Sequence, residues 1–237
     1  MATTGTYAFN PDIAEIFDES FERAGIAPSA IGVGHIRSGL RSLKFMLNSE
    51  WSTIGVRQWQ IAQGTQTLAP GMASLTLPAG GIDIMQAVLR RAGNDTELYP
   101  ISRSDYLVIT DKDLRGRPDR FFVDRRATGA VAYIWPCGEN GTDIIAYDYF
   151  KQMQDVGEMS NTLNMPSHAW EACCAGLAYN LAVKYSPERI KLLAVAYGGS
   201  EYPHRINGGA LERMRQEDRE RGDIHLYAAY DQRLSRR

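Results

Sequence analysis

Residues 33–60 read VGHIRSGLRSLKFMLNSEWSTIGVRQWQ. Val33, Ile36, Leu40, Leu43, Leu47 and Trp51 recur at spacings of three and four, which places them on one stripe of an α-helix. Arg37, Arg41, Lys44 and Glu50 fall largely off that stripe. Ser52, Thr53, Ile54 and Gly55 then interrupt the pattern, and Gly55 suits a helix C-terminus because a positive φ costs little there. Beyond it Val56, Gln58 and Gln60 alternate with Arg57, Trp59 and Ile61, which is the period of a strand. This stretch therefore reads as a central amphipathic helix that leads into a β region, and it carries no catalytic group.

Towards the N-terminus, Asn10-Pro11 reads as a helix start, with Asn10 as cap and Pro11 in the first turn. Ile13, Ile16, Phe17 and Phe21 share one face, and Asp12, Glu15, Asp18, Glu19 and Glu22 form the solvated remainder. Gly25 ends this helix, and Ala27-Pro28-Ser29 turns the chain into the central one, giving an αα-hairpin. Towards the C-terminus, strand signals appear at 65–68, 74–77, 84–90, 120–124, 131–135 and 144–149, separated by turns such as Pro70-Gly71, Gly93-Asn94-Asp95 and Gly116-Arg117-Pro118. Ser102, with Asp105 three residues on, caps a short helix over 102–110. After a polar stretch at 155–164, a helix begins near Pro166 and carries Trp170, Cys173, Cys174, Leu177, Leu181 and Val183. Its small residues Ala169, Ala172, Ala175, Gly176 and Ala178 let another helix approach closely. Ser186-Pro187 opens the next helix, which Gly198-Gly199 stops. The segment 210–221 is helix-compatible, but only Leu211 and Met214 in it are strongly apolar, so it needs a partner surface.

The expected fold class is α+β. Helices of residues 1–55 and 155–222 form one bundle, residues 56–154 form a central antiparallel β domain (a small sandwich or barrel), and 223–237 form a docking tail. The chain has 237 residues, a net charge of −2 and 44% apolar residues, a globular composition with no global demand for nucleic acid. Its cysteines are Cys137, Cys173 and Cys174, an odd and sparse set that suits a reducing compartment rather than a disulfide framework. No apolar run approaches the ~20 residues of a membrane span, and the N-terminus lacks the regions of a signal peptide.

Catalytic motifs are missing. Gly32-Val33-Gly34 opens a dinucleotide-like string, but Arg37 stands where the third glycine belongs and no strand precedes it. His35, His168, His204 and His225 have no zinc-type spacing. Cys173 and Cys174 read as small core residues, and five residues separate His168 from Cys173, which points them to different helix faces. Arg115, Arg117, Arg120, Arg125 and Arg126 interleave with Asp113, Asp119 and Asp124, a pattern of a solvated loop or protein interface. No catalytic residue, metal ligand or cofactor is assigned. The alternative from another class is a small hydrolase or transferase whose site joins distant residues, such as His168 with Cys174 or an aspartate. A third is a soluble α+β protein that binds a small ligand.

The run Leu40-Arg41-Ser42-Leu43-Lys44-Phe45-Met46-Leu47-Asn48-Ser49-Glu50-Trp51, the N-terminal helix before it, and Gly55 with the polar strand after it resemble the head-to-tail adaptor (connector) proteins of tailed bacteriophages, the podovirus type most nearly. The terminal helices, with the Tyr197-Gly198-Gly199 break, are similar in layout. The resemblance implies a structural virion protein without catalytic residues, made in the host cytoplasm and placed at the head-tail junction. It implies a ring of this chain, commonly of twelve subunits, that docks below the portal protein, offers a platform to the tail or nozzle protein, and lets packaged DNA pass without sequence-specific binding. Smaller members are almost wholly helical, and this chain departs from them in its β region. Within the tail, Tyr227, Tyr230 and Leu234 recur at spacings of three and four, and Arg233, Arg236 and Arg237 add positive charge. They are the expected contacts to the portal or a neighbouring subunit.

Overall fold

The computed structural model describes residues 9–53, 57–199 and 208–218. Helix α1 runs over Ile13–Arg23, and Asp12 caps it by accepting the Glu15 N–H at 2.8 Å. The expected cap Asn10 lies two residues too early. The reason is tertiary: the Ile13 and Ala14 N–H groups donate to the carbonyls of Asn161 and Met159, each at 3.0 Å, so a distant loop fixes where the first turn begins. Ile13, Ile16, Phe17 and Phe21 are buried along one face, as the periodicity requires.

Helix α2 spans Val33–Phe45, passes through a π-helical turn at Met46–Glu50, and ends as the short helix α3 at Trp51–Thr53. Its buried face runs through Gly39, Ser42, Leu43, Met46, Leu47 and Trp51. Val33, expected on the buried stripe, is 67% exposed. Gly39 lies so close to the Phe17 ring that an added Cβ would meet Cε1 at 2.5 Å, so the small side of α2 faces α1 and Val33 rotates outward. The strand expected from Val56 also starts later. Gln58–Gln60 form one 3₁₀ turn in which the Gln58 N–H bonds to the Asp218 carboxylate at 2.8 Å and the Gln60 N–H to the Arg57 carbonyl at 2.9 Å.

Strands β1 (Ile61–Thr67), β2 (Ser74–Thr76), β3 (Gly81–Arg91), β4 (Asn94–Pro100), β6 (Arg120–Arg126), β7 (Gly129–Trp135) and β9 (Ile144–Lys151) form one sheet in the order β1-β9-β3-β4-β6-β7-β2. Every pairing is antiparallel except the short β4–β6 contact. The two-residue strands β5 (Arg115–Gly116) and β8 (Cys137–Gly138) pair separately. The sheet is nearly closed around Leu75, Ile84, Leu89, Leu98, Phe121, Ile134, Ile145 and Tyr147, drawn from its successive strands. Strand β4 has no hydrophobic alternation to announce it in the sequence, because Leu98 is its only buried residue. Its register comes instead from the tight turn at Ala92 and Gly93, with φ of 50° and 82°, which folds it back on β3.

Helix α4 (Arg103–Val108) lies between β4 and β6 in sequence, with Ser102 and Asp105 forming the expected capping box. Helices α5 (Trp170–Tyr185), α6 (Ile190–Gly198) and α7 (Ala210–Glu217) complete the described chain, and α6 stops at Gly199 with φ +86°. A second apolar cluster joins Phe17 and Phe21 of α1, Leu43 of α2, Trp51, Trp170, Leu177 and Leu181 of α5, Tyr197 of α6 and Met214 of α7, with Leu40 packed against it. The small residues of α5 are used for close approach: a Cβ on Gly176 would lie 2.7 Å from Met46 Sδ and 2.8 Å from Tyr197 Cε2.

Candidate functional site

The structure builds two outward apolar surfaces on rigid supports. The first is α4, which lies on the outer face of β6 and β7. Tyr106 points inward and stacks on Phe122 and Tyr133, with ring centroids 5.7 and 5.3 Å apart. Arg103 sits over Phe122 at 5.1 Å and pairs with Asp124. The Lys112 ammonium donates to the carbonyls of Leu107 and Ile109 at 3.2 and 2.9 Å, where a cation complements the helix C-terminus. The loop that follows is pinned by Trp135 Nε1–H donating to the Asp111 carbonyl at 2.8 Å. With Tyr106 committed inward, Leu107 and Val108 face solvent at 72% and 79% exposure.

The second surface is α6. Leu193 and Tyr197 are buried, while Leu192 and Val195 are 68% and 52% exposed. Tyr197 fixes the helix: its hydroxyl accepts from Trp51 Nε1–H at 3.0 Å and donates to Glu50 Oε1 at 2.7 Å. Burial and the hydrogen bond to Glu50 push the phenol far above its ordinary range. The π-helical turn at Met46–Glu50 sets Glu50 and Trp51 at this junction. The helix IKLLAVAYG is apolar on both faces, and about half of it is uncovered.

The candidates for chemistry are dispersed. Cys173 is fully buried and its thiol is held well above the usual range by desolvation, while burial pushes Cys174 up to about 11. A nucleophilic cysteine needs the opposite shift. His168 packs edge-on against Trp59 at 5.6 Å, whereas the Cys174 thiol lies near Ser20, Arg23 and Glu171, so the two residues of the hydrolase alternative address different neighbours. Among the described residues, no three His, Cys, Asp or Glu side chains gather to hold a metal ion. Of the arginine cluster, Arg120 pairs with Asp119, Arg125 with Asp83 and Arg126 with Asp124, and Arg117 donates to Thr96 Oγ1. Of the interleaved aspartates visible in the sequence, Asp119 and Asp124 thus belong to ion pairs on the sheet surface.

The expected contacts Tyr227, Tyr230, Arg233, Leu234, Arg236 and Arg237 lie outside the described residues, as do Ile54, Gly55 and Val56. Sequence reasoning missed both apolar surfaces: the signal was available in Leu107-Val108 and in Leu192 and Val195, but periodicity alone does not say which face of a short helix is covered. No helix of the described residues is long and apolar enough to cross a membrane. No protein-family model and no curated protein matches the chain.

Proposed function

We propose that the chain is a structural ring subunit of a tailed-phage head-tail junction, an adaptor that docks below the portal and presents a platform to the tail or nozzle. The observation that carries this reading is the pair of unlike apolar surfaces, α6 beside the helical cluster and α4 on the sheet. A ring closes through heterologous contacts, which need two different surfaces on one subunit. On this reading the N- and C-terminal helices act as one bundle, the sheet is a separate tail-side or neighbour-side module, and the ring, commonly of twelve copies, surrounds the exit path of packaged DNA in the virion. Residues 223–237 supply the portal contact through Tyr227, Tyr230 and the terminal arginines, as their aromatic-basic composition suggests.

Native mass measurement, with and without a portal ring, tests the proposal. The expected result is an assembly many times the 26.4 kDa subunit, either alone or on the portal. Leu192→Glu and Leu107→Glu each weaken assembly while leaving the melting temperature near wild type, and deletion of 224–237 weakens portal docking. A monomer indifferent to the portal, or assembly untouched by both substitutions, overturns the reading.

A further inference from the structure

Two arginines of β3 grip carboxylates through the edge formed by Nε and Nη2. Arg90 holds Asp95 that way, at 2.8 Å for both atoms, and Arg91 holds Asp143 at 2.9 and 2.5 Å. Arg57 has the same edge, and among the described residues nothing bonds to it. The residue is 4% exposed, and its Nε and Nη2 are buried without a hydrogen-bond partner. Its guanidinium lies over the indoles of Trp51 and Trp59, 4.7 and 5.5 Å from the ring centroids, and Nη1 contacts Met214 Sδ at 3.7 Å. The plane is therefore held rigidly while its bidentate edge stays unused.

The surroundings share this imbalance. Trp59 Nε1, the whole Gln60 amide, His168 Nε2 and Arg215 Nε are also buried and unbonded. Trp59 touches both Arg57 and His168, Gln60 ends the 3₁₀ turn that follows Arg57, and Arg215 is close enough for its charge to act on Arg57. Four of the five side chains can offer N–H donors, and His168 Nε2 can act either way. Gln60 Oε1 is the sole orphan that is only an acceptor. Two carboxylates, Asp218 and Glu50, are close enough for their charges to act on Arg57, and neither bonds its Nε or Nη2. Desolvation holds the Arg57 pKa down, to about 10, which reflects a cation lacking full compensation. Orphan buried polar groups are rare and costly, and a donor-rich set around a rigid guanidinium fork matches one ligand chemistry.

We infer that the Nε/Nη2 edge of Arg57, with Trp59, Gln60, His168 and Arg215, is a buried oxyanion site that takes a carboxylate or phosphate group bidentately. The site is independent of the proposed ring function. A carboxylate would come from a small organic acid or an acidic side chain, and a phosphate from a free or nucleotide-borne group.

The test is thermal melting of the full chain in sodium acetate or sodium phosphate, titrated against sodium chloride at constant ionic strength. The expected result is a saturable rise, roughly 5–10 °C at a hundredfold excess over the half-saturating concentration. Acetate acting at lower concentration than phosphate marks a carboxylate occupant, and the reverse order marks phosphate. Arg57→Lys keeps the charge but removes the fork, and should raise the half-saturating concentration at least tenfold. The wild-type titration stands by itself should that variant fail to fold. Equal melting temperatures in all three salts show that water satisfies the edge and overturn the inference. So does a folded Arg57→Lys with an undiminished response.

Discussion

Replacing Gly176 by alanine sets two opposed effects against each other, and the structure says which wins. In an open helix the change stabilises by about 1 kcal/mol, because glycine gives up more backbone freedom. At Gly176 the new Cβ would lie 2.7 Å from Met46 Sδ, 2.8 Å from Tyr197 Cε2 and 3.0 Å from its Cζ. The methionine end can swing away, but the tyrosine cannot do so cheaply. Its hydroxyl is held by Trp51 and Glu50 at 3.0 and 2.7 Å, so moving the ring strains a buried network. Overpacking of this kind costs about 2–3 kcal/mol, which leaves a net loss of about 1–2 kcal/mol after the helix gain. For a chain of this size that is a fall of roughly 2–8 °C in melting temperature. Gly34 is the internal control. It is exposed in the first turn of α2 with nothing within 4 Å of its added Cβ, so Gly34→Ala should raise stability by up to about 0.5–1 kcal/mol. Urea unfolding of both variants, followed by circular dichroism, measures the pair. Gly176→Ala at or above wild-type stability, with Gly34→Ala stabilised, would refute the close approach of α5 to the Met46 and Tyr197 side chains.

Further outcomes follow from the same contacts. Leu43→Ala and Leu177→Ala, both at positions with no exposed surface, should each cost about 2–5 kcal/mol, read from the shift of the urea midpoint. Arg23 holds the Glu171 carboxyl below its usual 4.5 through two hydrogen bonds, so the pair contributes stability above that pH and loses it as the pH falls through the lower folded value. The stability gap between wild type and Glu171→Gln should therefore be present at pH 7 and close on acidification below about pH 4; a gap that is independent of pH would remove the ion pair as its cause. Because Cys137, Cys173 and Cys174 are buried with raised thiol pKa values, an aromatic disulfide reagent at pH 8 should label them only after denaturation, and rapid labelling of the native protein would contradict that burial.

The positions of the helices and strands were largely legible in the sequence because local signals agreed with the tertiary result. Ser102 and Asp105 announce α4 and form its capping box, since both partners of that bond lie within one turn. The strands expected at 74–77, 84–90, 120–124, 131–135 and 144–149 appear as β2, β3, β6, β7 and β9, each bounded by the turn residues that signalled it. Strand β4 stayed hidden because its sequence, NDTELYP, carries neither alternation nor β-branched weight beyond Thr96, and pairing with β3 imposes its extended form.

The sequence by itself determined the order of the helical and strand segments apart from β4, the buried face of α1 and the role of small residues on α5, because periodicity and side-chain volume are written in the chain; Val183, grouped in the sequence with the apolar residues of α5, is 54% exposed. Only the tertiary structure decided that Asp12 rather than Asn10 caps α1, that Val33 turns outward, and that Arg57 is buried. Each depends on groups far away in sequence: the carbonyls of 159 and 161, the Phe17 ring against Gly39, and the indoles and α7 that close over a guanidinium. Local alternation places Arg57 in a strand and says nothing of its burial. Its burial is set by contacts with Trp51, Trp59 and Met214, and the last of these lies 157 residues away.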